Sequence, residues 1–500
     1  MRRRLFLAFI LVSTFAVMGC KITGKITNDK GVGVEGITIE LSGDASMSTS
    51  TDADGTYVFR GLRRGTYKVK PADEGYTFEP PSKKVKISKE KKIAREDFKA
   101  ATSSPPPSSP PPPWSNYQGD AAHTGYVPVR LNPDNFSEDP IWTKIIVESG
   151  PLNPVATGAG KVFVTTVGDI FNDVIPNLAV GLDSATGTEL WRYNFDVFDS
   201  LVPIDYVNPP AYANGFVYVQ SGGGNGSFLL ALNAESAEVL DDIPYDNQSF
   251  RYYAPTIYDG DVYVGGGEFG GVYAYGFDGL VIDDLWFQDQ DLSQSDQWTP
   301  AVNEEYVIAY TGLFSTDAGL TIIDRSHPNG QVEFFIPDEN FEFEFGSENH
   351  LDMAPVLGSL NNVIVIQGGR LINFDLTNED IGWEIPKGDE EGFISQPSFA
   401  EGIIFAVYEG GLHALNESDG TFIDDWEPWQ PPGDDETINA PMIVTDNLIF
   451  VSTSSATYAV DLANQTEELV YSSGGQLALS EEGILFIATA EGVLIAIDLY

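Results

Sequence analysis

Eight copies of one short pattern occupy the last three-quarters of this 500-residue chain. In each copy a turn leads into a run of β-branched and aromatic residues, and after a Gly-rich gap a second apolar run ends in Asp or Asn. The second runs are Leu178–Asp183, Phe228–Asn233, Val272–Asp278, Leu320–Asp324, Leu371–Asp375, Leu412–Asn416, Thr457–Asp461 and Leu494–Asp498. Self-similarity at intervals of roughly 35–55 residues, without helical periodicity, is typical of a β-propeller. We therefore predict an all-β chain with an eight-bladed β-propeller.

Each copy has the chemistry of a small antiparallel sheet. Asn214-Gly215 between two apolar runs predicts a tight hairpin turn, because both central residues must adopt positive φ. Seven copies open on a proline, and the eighth opens without one near Leu477; the prolines are Pro154, Pro210, Pro255, Pro300, Pro355, Pro397 and Pro441. Aromatic residues near the end of a copy predict an outer strand there: Trp191, Trp286, Trp383, Trp426 and Tyr471.

The last copy ends at Tyr500 without an outer strand, whereas residues 141–146 form a strand-like run that precedes the first full copy. We predict that this N-terminal strand completes the last blade and closes the ring, which removes exposed sheet edges. The alternative is an open stack of hairpins.

The net charge of −47 is unevenly distributed. Residues 1–100 hold 19 Lys/Arg and 12 Asp/Glu, which leaves 8 basic and 62 acidic residues for 101–500. Such a surface repels nucleic acid and anionic lipid, so we expect no nucleic-acid partner. The acidity suits either a salty environment or calcium capture. For calcium, the candidate groups are Asp289/Asp291/Asp296 and Asp434/Asp435/Glu436, and neither has a complete calcium-loop spacing.

Residues 1–19 have the pattern of a signal peptide: three arginines, an apolar run from Leu5 to Val17 that is too short to span a membrane, and a small residue before Cys20. The run Val17-Met18-Gly19-Cys20 resembles the bacterial lipobox. That resemblance implies acylation of Cys20 (palmitate), the single cysteine of the chain, and an anchor in the bacterial cell envelope. We expect the outer membrane and leave its side open; secretion without an anchor is the alternative.

Residues 20–100 predict a separate small β domain of short alternating strands. The segments Gly33–Ile39, Thr51–Phe59 and Gly61–Tyr67 resemble the carboxypeptidase-regulatory-like, Cna-B-type β-sandwich, which implies a stalk or spacer. Within them, Asp52–Gly55 predicts a tight hairpin turn and not a calcium loop.

Residues 101–113 consist almost entirely of proline and serine and cannot form a core. At about 3 Å per residue in a polyproline conformation, this linker spans roughly 40 Å.

Residues 114–500 resemble the pyrroloquinoline-quinone-like (quinoprotein dehydrogenase-like) propeller family. The resemblance lies in the leader Trp114–Tyr126 and in the turn Gly181–Trp191, which Asn416–Gly420 with Trp426 repeats more loosely. In this turn we expect Asp or Asn to cap, Gly to supply positive φ and Trp to wedge between blades.

The resemblance implies one of two functions. Enzymes of the family hold a quinone with calcium and an adjacent-cysteine disulfide, whereas a non-enzymatic branch includes a lipoprotein of the outer-membrane barrel-assembly machinery. The propeller has no cysteine. Its few cations, which a trianionic quinone needs, are scattered: Arg130, Lys144, Lys161, Arg192, Arg251, Arg325, Arg370 and Lys387. Quinone binding is therefore not supported, no cofactor is predicted, and calcium stays open.

Other chemistry has little support in the sequence. His123, His327, His350 and His413 lack metal-ligand spacing, and neither a Gly-x-Ser-x-Gly elbow nor a phosphate loop is present. The residues that precede the opening prolines should gather at the mouth of the central channel. They are candidate ligand-binding residues, with ordinary turn residues as the alternative: Asn153, Asn208, Tyr253, Trp298, Met353, Gln396 and Asn439.

Three functions remain open at this point. The first is an envelope lipoprotein whose monomeric propeller is a non-catalytic scaffold for protein partners, with outer-membrane protein assembly as one role. The second is a quinone- or calcium-dependent oxidoreductase. The third is a surface adhesin or glycan-binding protein displayed by the front domain.

Overall fold

The structure is a computed structural model. It describes residues 20–28, 33–34, 36–72, 76–80, 82–89, 91–102, 112–168, 175–197, 204–222, 227–245, 254–266, 271–288, 299–312, 318–341, 353–359, 361–388, 392–424, 426–433, 437–438 and 441–500. The chain divides into two compact units, Met1–Ser108 and Ser109–Tyr500. The described residues form β-strands and two 3-10 turns, Pro133–Asn135 and Phe195–Val197. Over these ranges, no helix is long and apolar enough to cross a membrane.

The first unit contains two sheets. Its strands are β1 (Cys20–Thr27), β2 (Thr38–Gly43), β3 (Met47–Ser50), β4 (Thr56–Leu62), β5 (Gly65–Ala72), β6 (Tyr76–Glu79), β7 (Lys83–Ile87), β8 (Ile93–Arg95) and β9 (Phe98–Thr102). One sheet has the order β4-β1-β9-β6 with β8 paired to β1, and the other has the order β3-β2-β5-β7. Alternate residues such as Tyr67, Val69 and Val85 point inward, so one hydrophobic core fills the space between the sheets.

The Asp52–Gly55 turn corrects one expectation. Asp52 Oδ1 accepts hydrogen bonds from the amides of Asp54 (3.1 Å) and Thr56 (2.8 Å), as expected of a tight turn. However, β3 and β4 belong to different sheets, so the turn carries the chain across the core and does not close a hairpin.

The second unit is a β-propeller built from repeated antiparallel sheets. Its strands are β10 (Trp142–Ile145), β11 (Ala156–Gly158), β12 (Lys161–Thr165), β13 (Leu178–Asp183), β14 (Glu189–Asn194), β15 (Tyr206–Val207), β16 (Ala211–Ala213), β17 (Phe216–Gly222), β18 (Ser227–Asn233), β19 (Val239–Tyr245), β20 (Thr256–Tyr258), β21 (Asp261–Gly265), β22 (Val272–Phe277), β23 (Ile282–Gln288), β24 (Ala301–Val302), β25 (Tyr306–Thr311), β26 (Gly319–Asp324), β27 (Val332–Pro337), β28 (Val356–Leu357), β29 (Asn362–Gln367), β30 (Arg370–Asp375), β31 (Asp380–Ile385), β32 (Ser398–Ala400), β33 (Ile403–Tyr408), β34 (Gly411–Asn416), β35 (Ile443–Val444), β36 (Leu448–Ser452), β37 (Thr457–Asp461), β38 (Glu467–Tyr471), β39 (Gln476–Leu479), β40 (Ile484–Ala488) and β41 (Val493–Asp498).

The described part of residues 142–498 forms eight sheets, and most of them order their strands outward along the chain, as in β11-β12-β13-β14. The second strand of a sheet is buried on both faces, as in β29, because neighbouring sheets pack against both of its sides. The innermost strands lie side by side around a ring, and β39 of the last sheet lies beside β11 of the first.

The ring is closed by a strand from the other end of the chain. β10 pairs antiparallel with β41, with Trp142 opposite Ala496 and Ile145 opposite Val493. The last sheet therefore has the order β10-β41-β40-β39. The prediction that residues 141–146 complete the last unit is confirmed by this pairing.

Tryptophans of the outer strands join neighbouring sheets. Trp142 Nε1 donates a hydrogen bond to Ser184 O (2.8 Å) in the next sheet, and Trp191 Nε1 donates to Ala234 O (2.9 Å). A third such bond of 2.7 Å joins Trp383 to Glu417. The repeated turn therefore supplies both a carbonyl oxygen that accepts the indole N–H and a flat glycine surface on which the indole ring packs.

Gly187 forms this packing surface for Trp142. Its φ is +65°, and a Cβ there would lie 2.6 Å from Cδ2 of Trp142. We expect Gly187→Ala to lower the free energy of unfolding by about 2–4 kcal/mol, since the left-handed backbone and overpacking each cost about 1–3 kcal/mol. Gly215→Ala is the matched control: its φ is +88° and no atom lies within 4 Å of the added Cβ, so about 1 kcal/mol is expected. Denaturant unfolding of both variants measures the difference. An equal loss in the free energy of unfolding would contradict the close packing of Trp142 on Gly187.

One outer strand predicted from sequence does not form among the described residues of its segment. The sheet β32-β33-β34 has three strands, and Trp426 lies in irregular chain beside it. The edge of β34 is nevertheless covered, because Leu412 and Trp429 exchange backbone hydrogen bonds of 2.8 and 3.1 Å. The indole of Trp426 adds a bond of 3.2 Å to Leu412 O. This loop covers the edge of β34 as a fourth strand would, but it lacks the regular geometry of a strand.

Candidate binding site

The leader, defined here as residues 114–131, lies along the inner edges of successive sheets. Seven innermost-strand amides donate hydrogen bonds to it in chain order, each between 2.7 and 2.9 Å: Thr157 to Trp114 O, Tyr212 to Ser115 O, Ile257 to Asn116 Oδ1, Val302 to Ala121 O, Leu357 to Ala122 O, Phe399 to Thr124 O and Val444 to Gly125 O. Farther on, Asp446 N donates to Val129 O at 3.0 Å. The leader therefore makes one circuit of the ring.

This circuit answers a physical need of the fold. The innermost strand of each sheet has only one strand neighbour, so its other edge presents unpaired amides toward the central channel. The leader accepts a hydrogen bond from one amide of each of seven strands. It thereby fills one end of the channel and ties the sheets together.

Two side chains of the leader reach across the channel. Gln118 Nε2 donates to Pro397 O at 3.3 Å, and both residues flanking the Asp120 turn, Gln118 and His123, have positive φ (55° and 58°). His123 is fully buried: its Nδ1 lies 3.0 Å from Pro355 O and its Nε2 lies 3.2 Å from Thr256 Oγ1. A carbonyl can only accept, so Nδ1 carries the proton.

Burial lowers the pKa of His123 to about 4. An unfolded chain would take up this proton near pH 6.5, so between about pH 6.5 and pH 4 only the unfolded state binds it. Stability contributed by the neutral imidazole is therefore present above pH 6.5 and lost as the pH falls. The loss approaches about 3 kcal/mol at pH 4, at about 1.36 kcal/mol per pH unit.

We expect His123→Asn to be less stable than the wild type at pH 7 and to lose less stability between pH 7 and pH 4.5. Unfolding curves at several pH values measure both slopes, which separates His123 from the titration of the many carboxylates. His327→Asn is the control, because His327 lies in a partly exposed turn and its replacement removes a histidine without disturbing a buried site. Equal slopes for wild type and His123→Asn would show that His123 does not titrate in this way.

A cavity of about 450 Å³ lies between the leader and the sheets that contain β20 and β24. Its walls are largely apolar, with a few polar side chains: Pro112, Pro113, Trp114, Ser115, Asn116, Gly119, Asp120, Ala121, Ala122, Tyr126, Val127, Ile257, Tyr258, Asp259, Val302 and Asn303. A mostly apolar hollow with a few convergent polar groups is the usual form of a binding pocket.

Two carboxylates line this cavity. Asp120 accepts hydrogen bonds from the amide (3.0 Å) and the hydroxyl (2.6 Å) of Thr124, yet its burial raises its pKa. Asp259 lies 3.6 Å from Arg325, whose guanidinium stacks 4.6 Å from the ring centre of Tyr258. Since Arg325 already balances Asp259, the cavity is suited to an apolar side chain that ends in a hydrogen-bond donor.

The candidate channel-mouth residues lie inside the fold where the structure describes them. Asn153 Nδ2 donates to Val207 O (2.8 Å) in the next sheet, and the Gln396 amide exchanges two bonds of 2.9 Å with Ala354. Asn208 and Met353 are also buried. Tyr253, Trp298 and Asn439 lie outside the described residues. These bonds join neighbouring sheets, and ligand binding by these residues stays a prediction.

Of the remaining sequence candidates, His413 is half-buried beside Tyr408 and Phe422, where burial lowers its pKa. His350 and both acidic groups considered for calcium lie outside the described residues. Over the ranges that the structure describes, no group of three His, Cys, Asp or Glu side chains is arranged to hold a metal ion.

The sequence did not reveal the circuit of the leader or the cavity beside it. Most of the bonds involve backbone carbonyls, such as those of Ser115 and Ala121, which any residue could provide. One signal was available: Gln118-Gly119 and Thr124-Gly125 are residue pairs that favour sharp turns, and repeated turns indicate a chain that winds tightly.

Comparisons with known proteins match both units. The model of the carboxypeptidase regulatory-like domain matches residues 21–96, and the model described as outer membrane protein assembly factor BamB matches residues 129–424. Curated proteins gave no match.

Among solved structures, BamB from Moraxella catarrhalis is 13% identical with a TM-score of 0.51, covering 73% of this chain and 99% of that one. Quinohemoprotein alcohol dehydrogenase from Comamonas testosteroni is also 13% identical, with a TM-score of 0.56 and coverage of 77% and 80%. At these identities the likeness establishes the propeller fold alone. The BamB model, however, spans more than half of the sequence, so the chain belongs to the family of outer membrane protein assembly factor BamB, with a carboxypeptidase regulatory-like domain ahead of the propeller.

Proposed function

We propose that this protein is a lipid-anchored component of the bacterial cell envelope whose propeller binds another envelope protein and acts as a non-catalytic scaffold in outer-membrane protein assembly. The family match over residues 129–424 carries this proposal. The pattern of residues 1–20 supports the anchor.

The leader cavity is the proposed contact site. It combines aromatic walls from Trp114, Tyr126 and Tyr258 with two carboxylates, on a propeller that holds few cations. A partner that inserts an apolar stem ending in a hydrogen-bond donor would satisfy both features. Aromatic pockets of this kind commonly hold the residues that dominate protein–protein affinity.

Capture from detergent-solubilised envelopes tests the scaffold. The full chain should recover an outer-membrane barrel-assembly protein, and Tyr258→Ala/Asp259→Asn should reduce recovery about tenfold, as expected for one well-packed contact. Tyr471→Ala/Asp139→Asn is the matched control, because this tyrosine and carboxylate also lie close together but away from the cavity. Failure to recover an assembly protein would contradict the proposed scaffold function. An equal loss of recovery in both variants would contradict the cavity as the contact site.

Acylation is tested separately. Cells given an alkyne-tagged fatty acid should label the wild-type chain, and Cys20→Ser should abolish the label and release the protein from membranes. Unchanged membrane association of Cys20→Ser, with no label on the wild type, would contradict the anchor.

A quinone-dependent oxidoreductase has less support. A trianionic quinone needs cations, but five of the seven propeller cations in described positions already pair with carboxylates: Lys144, Lys161, Arg192, Arg325 and Arg370. The described mouth residues Asn153, Asn208, Met353 and Gln396 are neutral. The residues described do not fit this group. Dye reduction by protein reconstituted with quinone and calcium would overturn that assessment.

A further inference from the structure

The two ends of the front sandwich differ in what they carry. Cys20 begins β1 and lies opposite Leu62, the last residue of β4. β9 runs parallel to β1, with Ile26 beside Phe98, so the chain leaves the sandwich through Thr102 at the end far from Cys20. We call the end that contains Cys20 the anchor end.

Two of the three connections at the anchor end carry cations, and the third, residues 44–46 between β2 and β3, carries Asp44. Residues 63–64 join β4 to β5, and residues 88–92 join β7 to β8. The register holds both beside Cys20: Gly65 lies opposite Ile87, Ile93 pairs with Lys21, and Lys21 N donates to Lys92 O at 3.0 Å.

These connections are strongly basic. Their described cations are all exposed: Arg63, Arg64, Lys89, Lys91 and Lys92. None of the five forms an ion pair within the part of the chain that the structure describes. The carboxylates nearby in sequence and register are Asp44, which accepts a hydrogen bond from Thr66 N, and Glu90, which lies outside the described residues. The neighbouring Ile93 is 57% exposed.

We propose that the anchor end is a membrane-contact surface that binds the phosphate groups of anionic lipids. Five cations surround an exposed isoleucine, which is the composition of a surface that sits at a lipid headgroup layer. The orientation rests on the proposed acylation of Cys20. An acyl chain there would hold these cations against the headgroups, and the exit strand β9 would direct the chain away from the bilayer.

The acidic propeller of a second copy is the other surface with complementary charge. The position of the cations favours the membrane, because they cluster around Cys20 and the opposite end of the sandwich exposes Asp52 and Asp54. A basic surface that binds the propeller of a second copy would not need to lie next to Cys20.

Vesicle binding tests the proposal without the acyl chain. The probe is the chain from residue 20 to residue 500 with Cys20→Ser, mixed with phosphatidylcholine vesicles with or without phosphatidylglycerol. We expect binding only to the anionic vesicles, weakened by salt. Arg63→Gln/Arg64→Gln/Lys91→Gln/Lys92→Gln should reduce the partition coefficient on the order of a thousandfold, since each cation near an anionic surface contributes about 1 kcal/mol.

The matched control removes the same number of charges elsewhere on the sandwich: Lys68→Gln/Lys70→Gln/Lys84→Gln/Lys99→Gln, all exposed. It should retain most of the binding. Equal loss in the two variants, or no preference of the parent for anionic vesicles, overturns the proposal. A third result also overturns the proposal: the parent self-associates but does not bind vesicles, and the first variant abolishes the self-association. The surface would then bind a second copy of the chain. Cys20 is replaced in every protein of this experiment, so the vesicle result does not depend on acylation. Failure of the acylation test would therefore not refute lipid binding, and failure of the vesicle test would not refute the acyl anchor.

Discussion

Replacing Arg370 with methionine is expected to lower the free energy of unfolding by about 3–5 kcal/mol, because it leaves a buried carboxylate without its counter-charge. Arg370 Nη2 lies 2.6 Å from Asp338 Oδ2, and Nη1 lies 3.1 Å from Glu384 Oε1. The side chain of Asp338 is 0% exposed. The cluster links β27, β30 and β31, so its loss weakens the contact between two neighbouring sheets.

Other hydrogen bonds cannot replace the guanidinium. Tyr310 donates its hydroxyl to Asp338 Oδ2 at 2.7 Å and Asn340 donates its backbone amide to Oδ1 at 3.1 Å, which are two neutral bonds for a full negative charge. The variant therefore leaves this buried carboxylate with neutral donors only. The double variant Arg370→Met/Asp338→Asn should recover part of the loss, because a neutral amide needs no counter-charge.

Arg192→Met is the control for this experiment. Arg192 also pairs with a carboxylate, Glu189, at 2.9 Å, but both side chains are about one-third exposed. Exposed pairs contribute at most about 1 kcal/mol, so this variant should remain close to the wild type in urea unfolding. A cost for Arg370→Met no larger than that for Arg192→Met would show that the buried cluster does not stabilise the propeller.

Local chemistry explains why much of the fold could be predicted from the sequence. Asn214 and Gly215 both have positive φ in the structure (53° and 88°), as a tight hairpin requires. The closing strand was predictable because one copy lacked an outer strand and residues 141–146 supplied a matching run. Both inferences depend on residues close together in sequence or on a count of strands.

Features that depend on distant partners were beyond the sequence. Arg370 looks like one scattered cation until Asp338, 32 residues away, is placed beside it. The loop that replaces a fourth strand beside β34 was predicted as a strand from Trp426 alone. Pro428, Pro431 and Pro432 in the same segment argued against that prediction, because proline cannot donate to a strand ladder.

The candidate site shows the same division. Trp114–Tyr126 was recognised as a leader, yet its circuit of the ring follows from seven separate inner strands that only the fold brings together. The side chains expected at the channel mouth were chosen for their position before each proline. In the structure Asn153 and Gln396 use their polar atoms to bond neighbouring sheets. A residue's place in a repeat therefore does not reveal which groups its polar atoms will bond.

A disulfide across the closing pair of strands is expected to raise the free energy of unfolding by about 6 kcal/mol in the chain-entropy model, because it closes a loop of roughly 350 residues. Ile145 and Val493 lie directly opposite each other in β10 and β41, and neither is fully buried. Residues so placed in an antiparallel pair have Cα atoms about 4.5–5.5 Å apart, within the range that a disulfide spans. The chain offers a clean background, since Cys20 is its only cysteine and can be replaced by serine.

Ile145→Cys/Val493→Cys should therefore oxidise in the folded protein without denaturant, and the melting temperature should fall again on reduction. Ile145→Cys/Leu285→Cys is the mismatched control, because Leu285 is also exposed but lies in the outer strand of a sheet three positions farther around the ring. It should stay reduced and gain no stability. Ring closure joins the N-terminal and C-terminal strands of the propeller, so unfolding of the parent can begin by separating β10 from β41, and a covalent bond there blocks this route. Bond formation in the mismatched pair as readily as in the matched pair would show that the two strands are not held in this register.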